Sequence, residues 1–437
     1  MALAAPETAH ESSQDEARPG IRVLFSLLIL SGIVGLNTVD RNMFGLLLPQ
    51  IQRDIHLSDI EAGFLSGPAF VIVYSLAGLP IAYLADRTSR RSVIAAGLAF
   101  WSAVTVATGF AQSMAHMLIA RMALGVGEAS NMAPTSALIG DMFAGRWRVM
   151  AMSVFSAGGP LAIMLCYPLI GWIAANHGWR PAYPVMGLIG LVVAALTLAV
   201  VREPAREAST KAAAEPTAKK ESVVKSALRI VGSRSFLLLC VSVVMVSINY
   251  SALLAWLPTF LQRVHGLDDA TIGSMLGLYK GFVGIAATLA GGIAVTWLMR
   301  YDRRWLAWAP MLFSLLMIPA QLLLLLADEP LWWHVGLALE TIGMQGITPA
   351  LFALLITLLD SRVRATGVAL YLLIFNLIGQ SVGPLAVGAL NDGPLAGMGP
   401  EAIRYSLLTA PVVIAIGAAL LFLLSLSLGS GKDDAKA

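Results

Sequence analysis

Apolar stretches long enough to cross a bilayer recur one after another from Ile21 to Leu428. A hydrocarbon core about 30 Å thick needs roughly 20 apolar residues per helical crossing. Twelve crossings are expected, over residues 21–51, 59–85, 91–112, 115–141, 148–175, 181–202, 235–263, 269–300, 304–327, 331–359, 364–390 and 400–429. At 57% hydrophobic and 13% charged residues over 437 positions, the chain carries more apolar surface than one water-facing core could bury. The expected class is an all-α integral membrane protein.

Most joints between these runs are short and polar, such as Asp86 to Arg91 and Ala327 to Pro330, which favours antiparallel neighbours. Residues 203–233 differ. They mix Ala, Lys, Glu, Pro and Ser without a sustained apolar face and divide the chain near its middle. The organisation expected is a tail over 1–20, a six-helix bundle over 21–202, a linker over 203–233, a second six-helix bundle over 234–429 and a tail over 430–437.

Basic residues orient the bundle. With both termini in the cytoplasm, Arg87, Arg90, Arg91, Arg146, Arg148, Arg300, Arg303, Arg304, Arg362 and Arg364 fall on inner loops, beside a basic linker and tails. Only Arg53, Arg180, Arg263 and Arg404 fall on the outside. The first apolar run is long and has no cleavage pattern, so it is expected to remain as a helix, most simply in a bacterial inner membrane. Cys166 and Cys240 lie within apolar runs and suit the role of small hydrophobes. No metal centre, cofactor site or catalytic residue is expected, since no nucleophile elbow, phosphate-binding glycine loop or ligand-spaced histidine pair is present.

Two motifs repeat between the halves. Leu57, Asp59, Gly63 and Gly67 return as Leu267, Asp269, Gly273 and Gly277 at an offset of 210. Arg146, Arg148 and Pro168 return as Arg362, Arg364 and Pro384 at an offset of 216. Two matches in the same order support duplication, the pattern of parallel transporter halves. Glycines four residues apart form small-xxx-small faces on which helices approach closely.

The run Ala82-Tyr-Leu-Ala-Asp86-Arg87-Thr-Ser-Arg90-Arg91 resembles the G-x-x-x-D-R-x-G-R-R loop of the major facilitator superfamily, with Ala82 and Ser89 in place of both glycines. The resemblance implies a gating role for Asp86, Arg87, Arg90 and Arg91. A second stretch, Arg121-Met-Ala-Leu-Gly125-Val-Gly127-Glu128-Ala129, is similar to the superfamily's R-x-x-x-G-x-G pattern with a carboxylate added. Continued through Pro134 and Gly140-Asp141-Met-Phe143, and taken with Asp40-Arg41, it resembles the Spinster branch. That branch implies transport of an amphipathic lipid such as a lysophospholipid or a sphingoid phosphate. The second-half counterpart of the gating loop, around Asp302-Arg303-Arg304, departs from the pattern, as does Gln380 where an acid-containing pattern is often seen.

Away from the helix ends, six charges lie within the apolar runs: Asp40, Arg41, Arg121 and Glu128 in the first half, Lys280 and Glu340 in the second. Each set sums to zero. A charge at mid-bilayer costs about 2.5–3.5 kcal/mol even on permissive scales, so such groups face a cavity and pair. Arg121 and Glu128 share a helix face, whereas Asp40 and Arg41 point about 100° apart. Asp40 with Arg121 and Arg41 with Glu128 is one of the pairings open to them, and a purely structural cluster is the plainer alternative. The functional reading makes Asp40 and Glu128 exchange protons, Arg121 tune them and Arg41 alternate between Glu128 and an anionic substrate. Substrate contacts are expected from Arg41, Asn249, Tyr250, Lys280, Gln345, Tyr371 and Asn376, although interhelical hydrogen bonding explains each polar residue equally well.

The expected protein is therefore a monomeric secondary transporter of an amphipathic, anionic lipid, coupled to protons and working by alternating access. Its partners are the bilayer, protons and that substrate, and no nucleic acid. A drug or organic-anion transporter is the nearest alternative, and a membrane receptor or scaffold the alternative from another class.

Overall fold

The computed structural model describes residues 20–204, 232–302, 304–359 and 364–427. Both tails, Arg303, Arg362 and all of the expected linker except its first two and last two residues lie outside the described residues. In the first half the crossings are α1 (Ile21–Ile55), α2 (Asp59–Ser66 continued by Pro68–Arg87), α3 (Arg90–Thr108), α4 (Met114–Glu128 and Met132–Met142), α5 (Gly145–His177) and α6 (Ala182–Val200). The second half holds α7 (Arg234–His265), α8 (Asp269–Leu276 running to Gly284–Leu298), α9 (Trp305–Leu326) and α10 (Pro330–Leu358). It ends with α11 (Arg364–Ile374 running to Gln380–Asp392) and α12 (Ala402–Leu407 and Thr409–Ser427).

Eleven helices among the described residues are long and apolar enough to span a membrane. The remaining crossing, α4, is broken, where a single helix over 115–141 was expected. Pro134 lacks an N–H and its ring opposes the carbonyl four residues back, at Ser130. Ser130 Oγ instead donates to Gly127 O at 2.8 Å, and Thr135 Oγ1 to Asn131 Oδ1 at 3.1 Å, so local side-chain bonds replace the ladder. The break leaves Glu128 at a helix end.

Helix pairing repeats between the halves. α1 packs on α5 as α7 does on α11, α2 on α4 as α8 on α10, and α3 on α6 as α9 on α12. Two pseudo-symmetric six-helix bundles result. They meet where α2 crosses α11, where α5 crosses α8, and where α1 crosses α7.

The repeated motifs meet each other at these crossings. A Cβ added at Gly63 would lie 2.4 Å from the carbonyl oxygen of Pro384, and one at Gly277 would lie 2.9 Å from the ring of Pro168. Thus each glycine motif packs on the proline helix of the opposite half. At the same end, nearly all of α1 from Asn42 to Gln52 and of α7 from Ser251 to Leu261 is buried. Toward the Asp86–Arg91 loop burial falls away, with no residue from 72 to 84 of α2 buried. Large side chains such as Leu76, Leu79, Phe110, Ile119 and Ile293 are exposed, an arrangement that suits contact with lipid.

Candidate functional site

A cavity of ≈ 320 Å³ lies between the halves, bounded by α1 and α5 on one side and α7, α8 and α10 on the other. Most of its wall is apolar, with Val34, Phe155 and Ile163 from the first half and Leu253, Leu257 and Met344 from the second. Polar groups stand on both walls, Thr38, Ser156 and Tyr167 in the first half and Tyr250, Lys280, Thr341 and Gln345 in the second, and Lys280 is the charged one among them. Lys280 lies in a π-helical segment of α8, Gly277–Val283, whose extra residue per turn shifts the facing of side chains beyond it. Its Nζ is paired with Glu340 Oε2. Thr341 Oγ1 donates to the same oxygen at 3.4 Å. The Lys280 side chain is 19% exposed and that of Glu340 only 2%, so the cation stands at the wall and the carboxylate behind it.

The four first-half charges cluster on the other side of α1. Arg41 Nε donates to Glu128 Oε2 at 3.4 Å, and its guanidinium sits 4.7 Å from the ring centres of both Phe70 and Tyr74. Arg121 lies 4.2 Å over the Phe44 ring, and its Nη1 donates to the carbonyl of Arg41 at 3.5 Å. Asp40 neighbours Trp101, Thr105, Arg121 and Glu128, but among the described residues no cation stands within 4 Å of its carboxylate. Asp40 Oδ1, Glu128 Oε1, Arg121 Nε and Asn37 Nδ2 are buried without a hydrogen-bond partner. Only the Arg41–Glu128 half of the cross-helix pairing is therefore present in this state. Arg41 and Arg121 line a separate crevice of ≈ 40 Å³ with Phe70, Ser251 and Gln380, and Arg41 does not line the cavity between the halves.

Of the other expected contacts, Tyr250, Lys280 and Gln345 line the cavity, whereas Asn249, Tyr371 and Asn376 do not. Asn249 is fully buried. Its Nδ2 donates to Gln321 Oε1 at 3.0 Å and to Ala410 O at 2.9 Å, tying α7 to α9 and α12. Tyr371 packs in the second-half core beside Phe375. Asn376 Nδ2 donates to Leu372 O at 2.8 Å, and its Oδ1 accepts from Gln380 Nε2 at 2.7 Å.

Residues 30–384 match the model of the Major Facilitator Superfamily. The chain belongs to the major facilitator superfamily. It is 29% identical over 407 residues, 93% of each chain, to an MFS-type efflux pump of Mycolicibacterium smegmatis. It is 25% identical over 436 residues to the sphingosine-1-phosphate transporter SPNS2 of Mus musculus, covering 92% of this chain and 76% of that one. Among solved structures, a bacterial homologue of the human lysosomal transporter Spinster, inward-facing and unoccupied, matches with a TM-score of 0.79. That match has 25% identity and covers 94% of this chain and 98% of the other. The protein is thus a multi-pass membrane transporter of this superfamily, with Spinster proteins among its relatives.

The superfamily loop between α2 and α3 is fastened within the first half. Arg90 pairs with Asp141 at the end of α4 and lies 3.7 Å from Asp86. Arg87 stacks over Tyr83 at 4.1 Å, and Arg91 Nη1 donates to Val201 O at 3.4 Å. Glu203 closes the set, accepting from Ser89 Oγ at 2.7 Å and from Arg90 N at 3.2 Å.

At the opposite, closed end the halves are clamped by a group whose role the sequence reading missed. Arg263 on α7 donates from both Nη atoms to Asp59 on α2, each at 2.7 Å. Gln52 Nε2 at 2.7 Å and Asn391 Nδ2 at 2.8 Å complete the carboxylate's partners. The repeated acid, Asp269, accepts from Gln50 Nε2 at 2.7 Å instead of from an arginine. A signal was present: Gln52-Arg53 returns as Gln262-Arg263 at the offset of 210 that relates Asp59 to Asp269.

Proposed function

We propose that the protein is a proton-coupled carrier of single-chain anionic amphiphiles, of the lysophospholipid or sphingoid-phosphate type, working by alternating access. The observation that carries this reading is the cavity between the halves, apolar over most of its wall with one ammonium group at its surface. An acyl chain matches the apolar wall and an anionic head the cation. The names of the Spinster relatives point the same way, and the arginines of the Asp86–Arg91 loop support a reading in which that end and both termini face the cytoplasm.

Protons enter through Asp40 and Glu128. Each is buried, and each has an oxygen without a hydrogen-bond partner, so the charge on each responds to a change in solvent access or in the distance to Arg41 and Arg121. Arg41 is the movable element, since a 3.4 Å single contact to Glu128 and two aromatic faces hold it without a bidentate lock.

A second reading, efflux of drugs or small organic anions, is favoured by the mycobacterial relative. Flux into proteoliposomes separates the two. Lysophospholipid uptake is expected to rise several-fold when a pH gradient is imposed, and Asp40→Asn and Glu128→Gln should remove that response. Equal pH dependence in both variants would end the proton-coupling assignment, and binding without flux would favour a receptor.

A further inference from the structure

Lys280 differs from the first-half charges in lining the cavity directly, with Glu340 paired behind it. The pair is neutral as it stands. Its geometry is one-sided, with the ammonium at the wall and the carboxylate buried behind it, so an incoming ligand meets the cation first. An anionic head that binds there competes with Glu340 for the same Nζ.

We infer that Lys280–Glu340 is a ligand-operated proton site, in which the anionic head of the transported amphiphile takes Lys280 and the released Glu340 carboxylate takes a proton from the open cavity. The inference rests on the anionic-amphiphile reading above and adds a coupling step to it. Charge balances at each stage. Before exchange the ammonium neutralises the carboxylate; afterwards it neutralises the ligand, and the proton neutralises Glu340. Without that proton, an ionised carboxylate would be left buried with Thr341 Oγ1 as its neighbouring donor.

Among the described residues, no carboxylate lines the cavity itself. Facing the pair are Tyr250 from α7, Tyr279 from α8, Tyr167 from α5 and His334 one and a half turns back on α10, while α9 carries no titratable residue. His334 is occupied by Tyr279, whose hydroxyl lies 3.1 Å from Nδ1. Tyr250 lines the same cavity from α7. The π-helical segment bearing Lys280 packs against α5 and α10, at the seam between the halves.

Calorimetric titration of the purified full-length protein in two buffers of different ionisation enthalpy counts protons taken up on binding. The probe is lauroyl lysophosphatidylglycerol, whose phosphodiester stays charged, with lauroyl lysophosphatidylcholine as the zwitterionic comparison. Wild type should take up about one proton per bound lysophosphatidylglycerol. Glu340→Gln should bind it with no uptake. The charge-neutral pair of changes Lys280→Gln with Glu340→Gln should lose both uptake and the preference for the anionic probe, and serves if the single variant fails to fold. Binding of lysophosphatidylglycerol by wild type without proton uptake, or uptake that persists when Glu340 is Gln, overturns the inference and leaves the substrate class standing. Binding of neither lysolipid removes the substrate class itself, and the inference with it.

Discussion

Asp59 and Asp269 are the same residue in two copies of one repeat, yet their surroundings ask for different things. Asp59 meets a guanidinium with two parallel bonds, an arrangement worth more than neutral hydrogen bonds. Replacing Asp59 by Asn leaves Arg263 without its counter-charge at the closed end. Discounted for the partial exposure of Arg263, the loss should be about 2 kcal/mol. Thermal unfolding in detergent should show a fall of several degrees, and a cysteine at Gln52 should become more reactive. Asp269→Asn should cost less than about 1 kcal/mol, because its amide oxygen still accepts from Gln50. An equal loss in the two variants would contradict this division. At the surface just before α8, hydrogen bonds from the Thr271 side chain and then its N–H hold the Asp268 carboxyl below the usual range, as at an N-cap.

Among the helices, the close crossings of α2 with α11 and α5 with α8 depend on absent side chains. A Cβ at Gly63 or Gly171 would come within 2.4 Å of a backbone oxygen on the facing helix, which nothing flexible relieves. Gly63→Ala and Gly171→Ala should therefore pry the closed end apart, while Gly78→Ala, with nothing within 4 Å, should be silent. Accessibility of a cysteine at Gln52 again reads the difference. All the apolar crossings were legible in the sequence, because hydropathy over twenty residues is set by the bilayer and is insensitive to local detail. The break in α4 was not, although Pro134 and Ser130-Asn131 carry it, since the apolar run continues through them. Nor were the π-helical segments around Lys280 and Asn376: one residue inserted in a turn changes facing without changing composition. Polarity alone does not give facing either: Asn249 and Tyr250, adjacent on α7, point about 100° apart, and of the two Tyr250 lines the cavity.

For the whole molecule, the contacts describe two six-helix bundles held together more tightly at one end than at the other. The end marked by Asp59 and Arg263 is shut by glycine crossings and a partly exposed clamp, and the helices leading to Asp86–Arg91 are far less buried. Every ion pair of the superfamily loop given above stays inside the first half, so closing that end needs no first-half pair to break. The asymmetry of charge follows the same division. Asp40, Arg41, Arg121 and Glu128 sit beside α1 away from the cavity, and Lys280 with Glu340 sits on it. Alternation between two end states biased by protons is the central claim. Spin labels at Glu61 and Asp268 report the closed end, and labels at Thr88 and Tyr301 the other end. Double electron–electron resonance across a pH series should show the first distance lengthening as the second shortens, with Asp40→Asn and Glu128→Gln fixing both. Two distances that stay constant at every pH, or that change in the same sense, would contradict the account.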